Sequence, residues 1–179
     1  MIHIFPPALL AQAKDIRALL LDVDGVLTDG GLYFTETGET SKRFNTLDGH
    51  GLKLLQGAGI QPVIITGRDS AALRVRLNAL NIQHAHFGVE DKHSAAQAAL
   101  QSLGLSWAQT AAMGDDWPDL PMLLPSALAC APPNAHREVL SRVHWVTQAQ
   151  AGHGAVREVC DLLLQAGGHY SGLLNEVLA

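Results

Sequence analysis

The sequence of 179 residues predicts one α/β domain, built on a doubly wound, mostly parallel, Rossmann-like sheet. Two observations support this fold class. Short apolar runs typical of strands alternate with helical patterns along the chain, and polar residues follow several of these strands, where open α/β sheets bind their ligands. No repeat or linker divides the chain, so residues 1–179 are treated as a single domain.

A short helix, the first strand and a hairpin come first. Residues 8–14 carry a helical pattern, and residues 18–21 are the apolar run Ala-Leu-Leu-Leu. Residues 31–45 predict a β-hairpin, in which Gly38 supplies the turn. We expect this hairpin to project from the α/β core.

The later elements repeat a cycle of helices and strands. The helical patterns cover residues 51–56, 70–80, 92–103, 118–124 and 155–165, and the strand patterns cover residues 62–65, 84–87, 110–113, 128–131 and 143–147. The strand at 62–65 is apolar throughout, which is typical of a parallel strand covered on both faces. The glycine-rich tail, residues 166–179, is predicted to be flexible, with an amphipathic turn from residue 173.

The amino-acid composition argues against several classes of function. A net charge of -5 with 12 lysines and arginines argues against nucleic acid as a partner. No apolar run approaches the length of about 18 residues that a membrane span needs, and residues 1–7 lack the pattern of a secretory signal. Cys130 and Cys160 lack metal-ligand spacing and are predicted to be buried free thiols, which favours a reducing, cytoplasmic setting.

Two carboxylates, Asp22 and Asp24, follow the first strand directly. In an extended chain, residues i and i+2 point the same way, so both side chains can face one pocket. Two like charges repel at close range, which indicates a divalent cation or a shared proton, and oxygen ligands suit Mg²⁺. An Asp-x-Asp-Gly sequence is also an ordinary turn, so the rest of the chain must decide.

Three further groups of polar residues complete an ordered series. Thr66-Gly67-Arg68 follows a strand, Lys92 opens a helix, and Gly114-Asp115-Asp116-x-x-Asp119 follows another strand. Together with the first aspartates, they resemble the four motifs of the haloacid dehalogenase-like phosphatase superfamily in order and spacing. The resemblance implies a haloacid dehalogenase-like core and a phosphoryl-transfer site.

The resemblance also implies a role for each residue. Asp22 would be the nucleophile that forms an aspartyl phosphate, and Asp24 would be the general acid and base. Thr66 and Lys92 would hold the transferring oxygens. Asp115 would complete a Mg²⁺ site with the Asp22 carboxylate and the backbone carbonyl of Asp24.

Simpler alternatives remain open for single residues. Thr66 can merely cap a helix, and Lys92 can be a solvated charge in a first helical turn. Asp116 and Asp119 can cap the next helix and offset its dipole, or they can support the metal site from behind. The histidines show no metal-binding spacing, and no role is assigned to His50 or His153.

The chain has no room for a cap domain over the site. Only the hairpin and one helix fit between Asp24 and Thr66, and only one helix and one strand fit between Thr66 and Lys92. A capless chain with a hairpin after the first motif resembles the 3-deoxy-D-manno-octulosonate 8-phosphate phosphatase family, which serves lipopolysaccharide precursor synthesis. Residues 44–51 and 152–161 extend the resemblance over nearly the whole chain.

The family resemblance implies a homotetramer in which hairpins meet and the adjacent subunit helps to wall each pocket. It also implies a substrate-binding set beside the phosphate: Asp24, Asn45, Thr46, Leu47, Asp48, Gly49, Lys53, Gly67, Arg68, Arg76 and Lys92. Arg76 can equally be a solvated helix charge. Leu47 stands where many relatives have arginine, and His153 where many have arginine or lysine, so the fine choice of substrate stays open.

Three other functions were weighed against this expectation. A phosphatase acting on a nine-carbon keto-sugar acid 9-phosphate shares the capless tetrameric plan. A non-catalytic module for subunit contact would not need Asp22, Asp24, Thr66, Lys92 and Asp115 together. A phosphomutase would normally need a cap domain to keep its intermediate from water.

Overall fold

In the computed structural model, which describes residues 5–179, helices and strands alternate as the sequence predicts. The strands are β1 (Ala18–Leu21), β2 (Tyr33–Thr35), β3 (Gly38–Ser41), β4 (Gln61–Ile65), β5 (His84–His86), β6 (Thr110–Met113), β7 (Leu128–Ala131) and β8 (Trp145–Val146). The helices are α1 (Pro7–Ala13), α2 (Thr46–Gly57), α3 (Ala71–Ala79), α4 (Lys92–Leu103), α5 (Leu120–Leu123), α6 (Arg137–Leu140), α7 (Ala155–Ala166) and α8 (Tyr170–Leu178). Residues 1–4, on which part of the secretory-signal argument rests, lie outside the described residues.

Six parallel strands form the main sheet in the order β5-β4-β1-β6-β7-β8. The first strand of the chain is therefore central, and Leu21 at its end pairs with Ile64 on one side and Met113 on the other. The carboxyl ends of β1, β4 and β6 consequently lie side by side. The polar motifs that follow these three strands meet at one edge of the sheet.

Alternate residues of the central strand enter two different hydrophobic cores. Leu19 and Leu21 pack with apolar side chains of α1, α2, α3 and α7, whereas Leu20 packs with those of α4, α5 and α6. Each of these leucines is fully buried, which stabilises the fold by roughly 1.5–3 kcal/mol per side chain. Helices on both faces of a parallel sheet confirm the doubly wound α/β prediction.

Strands β2 and β3 form the predicted hairpin as a separate antiparallel pair. Gly38 ends its turn with φ of +115°, a conformation that favours glycine. Leu32, Tyr33 and Phe34 leave large apolar side chains exposed on one arm, with Phe34 59% exposed. The hairpin therefore carries an apolar surface away from the core.

The second helix begins earlier than predicted. The sequence pattern starts it at residue 51, but α2 starts at Thr46, because the Asn45 side chain accepts a hydrogen bond from Leu47 N at 2.8 Å and caps the helix. Gly49 and Gly51 obscured this start, since glycine is a poor helix former. Both sit at close contacts: a Cβ on Gly49 would overlap the Arg76 guanidinium, and one on Gly51 would press on Arg157 and Cys160.

Smaller differences lie in the second half of the chain. The expected helix at 118–124 is divided into a 3-10 turn (Trp117–Asp119) and α5, and the four-residue helix α6 was not predicted. The tail forms helix α8 from Tyr170 rather than a turn from residue 173, and its flexibility stays a prediction. Cys130 and Cys160 are buried and free, as expected. Among residues 5–179, no helix is long and apolar enough to cross a membrane.

Candidate active site

The ends of the three neighbouring strands gather the predicted catalytic residues around one pocket. Asp22 follows β1, Thr66 follows β4 and Asp115 follows β6, while Lys92 is the first residue of α4. The pocket is open, has a volume of about 560 Å³ and is lined by residues of all four motifs: Asp22, Asp24, Thr66, Gly67, Arg68, Val89, Glu90, Lys92, Asp115, Asp116, Pro118 and Asp119. The sequence motifs therefore converge as the fold class predicts.

Lys92 forms the centre of a buried charge cluster. Its Nζ lies 2.5 Å from Asp22 Oδ1 and 2.6 Å from Asp119 Oδ1, and its side chain is 5% exposed. The Asp91 side chain caps α4 by accepting from Ser94 N at 3.1 Å, which fixes the turn that carries Lys92. Lys92 is therefore not the solvated helix charge of the simpler interpretation.

Asp119 supports the loop after β6. Its Oδ2 accepts hydrogen bonds from Asp115 N at 2.8 Å and Asp116 N at 3.1 Å, while Oδ1 accepts from Lys92. Gly114 allows this approach, because a Cβ there would overlap the Asp119 carboxylate. Asp116 accepts from Trp117 N at 2.8 Å and caps the 3-10 turn. The two side chains thus build the loop that presents Asp115.

The acidic cluster fits a divalent cation. Asp22, Asp115 and Asp119 each offer one carboxylate oxygen, and these oxygens lie within 4.8 Å of one another. Burial and the charge of Asp119 raise the pKa of Asp22 to about 6 against the opposing effect of Lys92, and they raise the pKa of Asp115 to about 7. Both shifts arise first from burial and then from negative charge that one lysine does not balance. Oxygen donors with excess negative charge suit Mg²⁺.

Asp22 and Asp115 are the carboxylates best placed to hold such a cation, because Asp119 already accepts hydrogen bonds at both oxygens. Gly25 lets the first motif approach Asp115 closely. Its φ is +92°, and a Cβ there would overlap the Asp115 carboxylate. The glycine of the Asp-x-Asp-Gly turn therefore leaves the space that the Asp115 carboxylate, which follows β6, occupies.

Two cations, Arg68 and Lys42, lie close to the Asp24 carboxylate, and Arg68 also lines the pocket. Thr66 is buried, and its Oγ1 accepts from Arg68 N at 3.3 Å. Arg68 is 41% exposed and lies with Nε 3.7 Å from Asp24 Oδ2. Lys42, which the sequence analysis did not single out, places Nζ 2.5 Å from Asp24 Oδ1. Its position in the hairpin, far from the motifs along the chain, gave no signal of this contact.

The structure does not bring the remaining predicted substrate-binding residues into this pocket. Asn45, Asp48, Gly49 and Arg76 line a separate small cavity of about 10 Å³, where Arg76 Nη2 donates to Asn45 O at 3.2 Å. Exposed side chains elsewhere on α2 complete the set: Thr46, Leu47 and Lys53. Their role in binding substrate stays a prediction.

Asp48 has a clear structural role. It is 1% exposed, and its carboxylate accepts from Arg157 N at 2.8 Å and Gly154 N at 3.3 Å. These are backbone N–H groups at the start of α7, so Asp48 caps that helix from across the chain. His153 contacts Ala151 O and Arg43 at the same loop.

Comparisons with known proteins agree with this geometry. A family model described as haloacid dehalogenase-like hydrolase matches residues 89–159. The chain is 42% identical over 157 residues to a 3-deoxy-D-manno-octulosonate 8-phosphate phosphatase of Yersinia pestis, covering 88% of this chain and 84% of that protein.

Two solved structures are closely similar throughout. One is the 3-deoxy-D-manno-octulosonate 8-phosphate phosphatase of Moraxella catarrhalis in complex with a magnesium ion, a phosphate ion and a KDO molecule. It has a TM-score of 0.92 and 34% identity, and the match covers 97% of this chain and 99% of that one. The other, a hypothetical protein from Xanthomonas campestris, has a TM-score of 0.93 and 45% identity over 98% of this chain and 96% of that one. The chain therefore belongs to the 3-deoxy-D-manno-octulosonate 8-phosphate phosphatase family of capless haloacid dehalogenase-like hydrolases.

Proposed function

We propose that this protein hydrolyses 3-deoxy-D-manno-octulosonate 8-phosphate to 3-deoxy-D-manno-octulosonate and phosphate through an aspartyl phosphate, with Mg²⁺ as cofactor. The observation that carries the proposal is the buried Lys92, which bridges Asp22 and Asp119 beside Asp115 at the floor of an open pocket. Family relatives bear the name of this phosphatase, which supports the choice of ester.

In the first half of the reaction, an Asp22 carboxylate oxygen attacks phosphorus. A bond forms between Asp22 and phosphorus, the bond from phosphorus to the sugar oxygen breaks, and Asp24 gives its proton to that leaving oxygen. Lys92 holds Asp22 at 2.5 Å and offsets negative charge as the phosphoryl group arrives.

In the second half, water attacks the phosphorus of the aspartyl phosphate. Asp24 takes the proton of that water, the bond from phosphorus to Asp22 breaks, and phosphate leaves with both aspartates restored. One side chain acts as acid and then as base, so its carboxylate must stay in place between the two steps.

The carboxylates of Asp22 and Asp115, with the backbone carbonyl of Asp24, would hold Mg²⁺. When bound, the cation supplies positive charge that offsets repulsion between an anionic nucleophile and an anionic ester. Thr66, which follows β4 and lines the pocket, would donate to an oxygen of the transferring group.

The substrate also carries a carboxylate, and Arg68 is the exposed cation at the pocket rim that suits it.

Without a cap domain the pocket stays open, so we propose that a neighbouring subunit covers it in a homotetramer. The exposed apolar arm of the hairpin, Leu32, Tyr33 and Phe34, supports self-association. A cytoplasmic location belongs to the same proposal and rests on two buried free cysteines.

The first test is phosphate release with and without Mg²⁺ from the eight-carbon ester, a nine-carbon keto-sugar acid 9-phosphate and several common sugar phosphates. Mg²⁺-dependent preference for the eight-carbon ester is the expected result. Preference for the nine-carbon ester would replace the proposed substrate, and no release from any ester would favour a non-catalytic module.

Asp22→Asn tests the chemistry directly. We expect turnover to fall to well under about a tenth of the wild-type rate, because the amide cannot form the acyl phosphate. Asp15→Asn, at an exposed position outside the pocket, is the matched control and should keep full activity. Substantial turnover by Asp22→Asn with an intact circular dichroism spectrum would contradict the nucleophile assignment.

A further inference from the structure

Two hairpin residues, Glu39 and Lys42, reach the edge of the active-site pocket. Lys42 Nζ lies 2.5 Å from Asp24 Oδ1 and 2.8 Å from Glu39 Oε1. Glu39 Oε2 accepts from Arg68 Nη2 at 3.0 Å, and Arg68 Nε lies 3.7 Å from Asp24 Oδ2. These four side chains, Asp24, Lys42, Glu39 and Arg68, form a closed ring of alternating charge, called here the hairpin charge ring.

The ring places an ammonium group where water hardly reaches it. The Lys42 side chain is 1% exposed, less than either carboxylate that it contacts. Lys42 and Arg68 lower the pKa of Glu39, so its carboxylate is charged at neutral pH. Burying a charged side chain costs free energy even when it forms an ion pair, and apolar side chains in the same place often stabilise a fold at least as well. The ring therefore does more than attach the hairpin to the core.

The two oxygens of Asp24 have different surroundings. Oδ1 accepts from Lys42, whereas Oδ2 is buried without a hydrogen-bond partner among residues 5–179 and faces Arg68 Nε at 3.7 Å, beyond hydrogen-bond distance. A lysine fixed on one oxygen leaves the other to carry the transferable proton. The ring thus restrains the rotation of the Asp24 carboxylate.

We propose that Lys42, anchored by Glu39, is a positioning residue that holds the Asp24 carboxylate in the orientation for proton transfer to the leaving oxygen. The inference rests on the proposed function, since it needs Asp24 as general acid. Lys42 itself touches the carboxylate and not the reacting phosphorus.

A residue that acts through the general acid has a distinctive kinetic effect. A sugar alkoxide leaves poorly and needs the proton from Asp24, whereas p-nitrophenolate leaves readily without it. The ratio kcat/KM reports steps up to transfer of the phosphoryl group to Asp22, which include loss of the leaving group. Loss of positioning should therefore slow the alkyl ester far more than the aryl ester.

The experiment compares wild type, Lys42→Met and Lys14→Met on 3-deoxy-D-manno-octulosonate 8-phosphate and on p-nitrophenyl phosphate. For Lys42→Met we expect kcat/KM to fall by about tenfold or more on the sugar ester, because part of the usual gain from general acid catalysis is lost. On the aryl ester we expect kcat/KM to fall by no more than about threefold. Lys14 is exposed at the end of α1, so Lys14→Met should match wild type on both esters.

Equal losses on the two esters would show a merely structural role and overturn the proposal, as would full activity on both. A crystal structure of Lys42→Met gives a second readout, in which the Asp24 carboxylate should leave its wild-type position. An unmoved carboxylate would also overturn the proposal.

Glu39→Gln provides the same comparison should Lys42→Met fail to fold. The amide keeps the shape of Glu39 but weakens the anchor of Lys42. We therefore expect kcat/KM to fall more on the sugar ester than on the aryl ester, by a smaller factor than in Lys42→Met. The proposed function fails separately, if wild type does not hydrolyse 3-deoxy-D-manno-octulosonate 8-phosphate. The positioning role fails if wild type is active on that ester but its variants lose equal activity on both esters, or if the Asp24 carboxylate does not move in Lys42→Met.

Discussion

Asp115→Asn should make the metal-free protein more stable at alkaline pH while removing its Mg²⁺-dependent activity. The Asp115 carboxylate is half-buried beside Asp119, Asp22 and Asp116, and burial and these charges raise its pKa from the ordinary 3.8 to about 7. A group whose pKa is higher in the folded than in the unfolded state costs stability as pH rises between the two values. Asparagine has no charge to bury, so the variant escapes this cost.

The size of the effect follows from the pKa values. A rise from 3.8 to about 7 corresponds to about 4 kcal/mol at pH 8, above both values. Water that reaches the half-buried carboxylate screens part of it, so we expect Asp115→Asn to raise the free energy of unfolding by about 2–4 kcal/mol at pH 8. At pH 4.5, close to the unfolded value, the gain should fall to about 1 kcal/mol or less.

Urea unfolding in EDTA at the two pH values measures this difference, with the exposed Asp15→Asn as the control that should show none. Excess Mg²⁺ should then stabilise wild type more than Asp115→Asn, because the variant lacks a ligand. A variant that is no more stable than wild type at pH 8, or equally more stable at both pH values, would refute the electrostatic reasoning.

Three further predictions concern other parts of the molecule. Asp48→Ala should lower the free energy of unfolding by about 1–3 kcal/mol in urea, because α7 loses its cap, while Asp48→Asn keeps an acceptor and should lose less. Leu32→Asp should lower tetramer content by light scattering together with activity, since this exposed leucine belongs to the apolar arm of the hairpin; an active monomer would contradict that. Gly25→Ala should reduce Mg²⁺-dependent phosphate release by about tenfold or more, because the new methyl group displaces the Asp115 carboxylate and alanine is strained at the φ of Gly25. Unchanged release would contradict the close approach of Gly25 to Asp115.

The sequence predicted several strands and helices and the meeting of the motifs, because apolar runs and helical patterns are local. The strand at residues 18–21 and the helix at 92–103 have the predicted bounds, since apolar runs and a glycine stop specify them. Residues that follow β1, β4 and β6 meet because these strands are parallel and adjacent in the sheet. That geometry required no knowledge of side-chain contacts.

Patterns within one segment did not predict contacts between segments that are distant in the sequence. The sequence did not predict that the Asp48 carboxylate caps a helix that begins more than 100 residues later. The sequence did not predict the contact of the Lys42 ammonium with Asp24, because the two residues lie in different segments of the fold. Both cases depend on how one element lies against another, which the periodicity of a single segment does not encode.

The central position of β1 has a consequence for protein synthesis. Strand β1 is translated before the other strands, but Ala18 at its start pairs with Gln61 and with Thr110, which follow much later in the chain. Such long-range pairing is slow, and a nascent chain must extend past Asp119 before the Lys92 bridge can close. A chain truncated before β6 would carry Asp22 without Asp115 or Asp119, so phosphatase activity should emerge only at the end of folding.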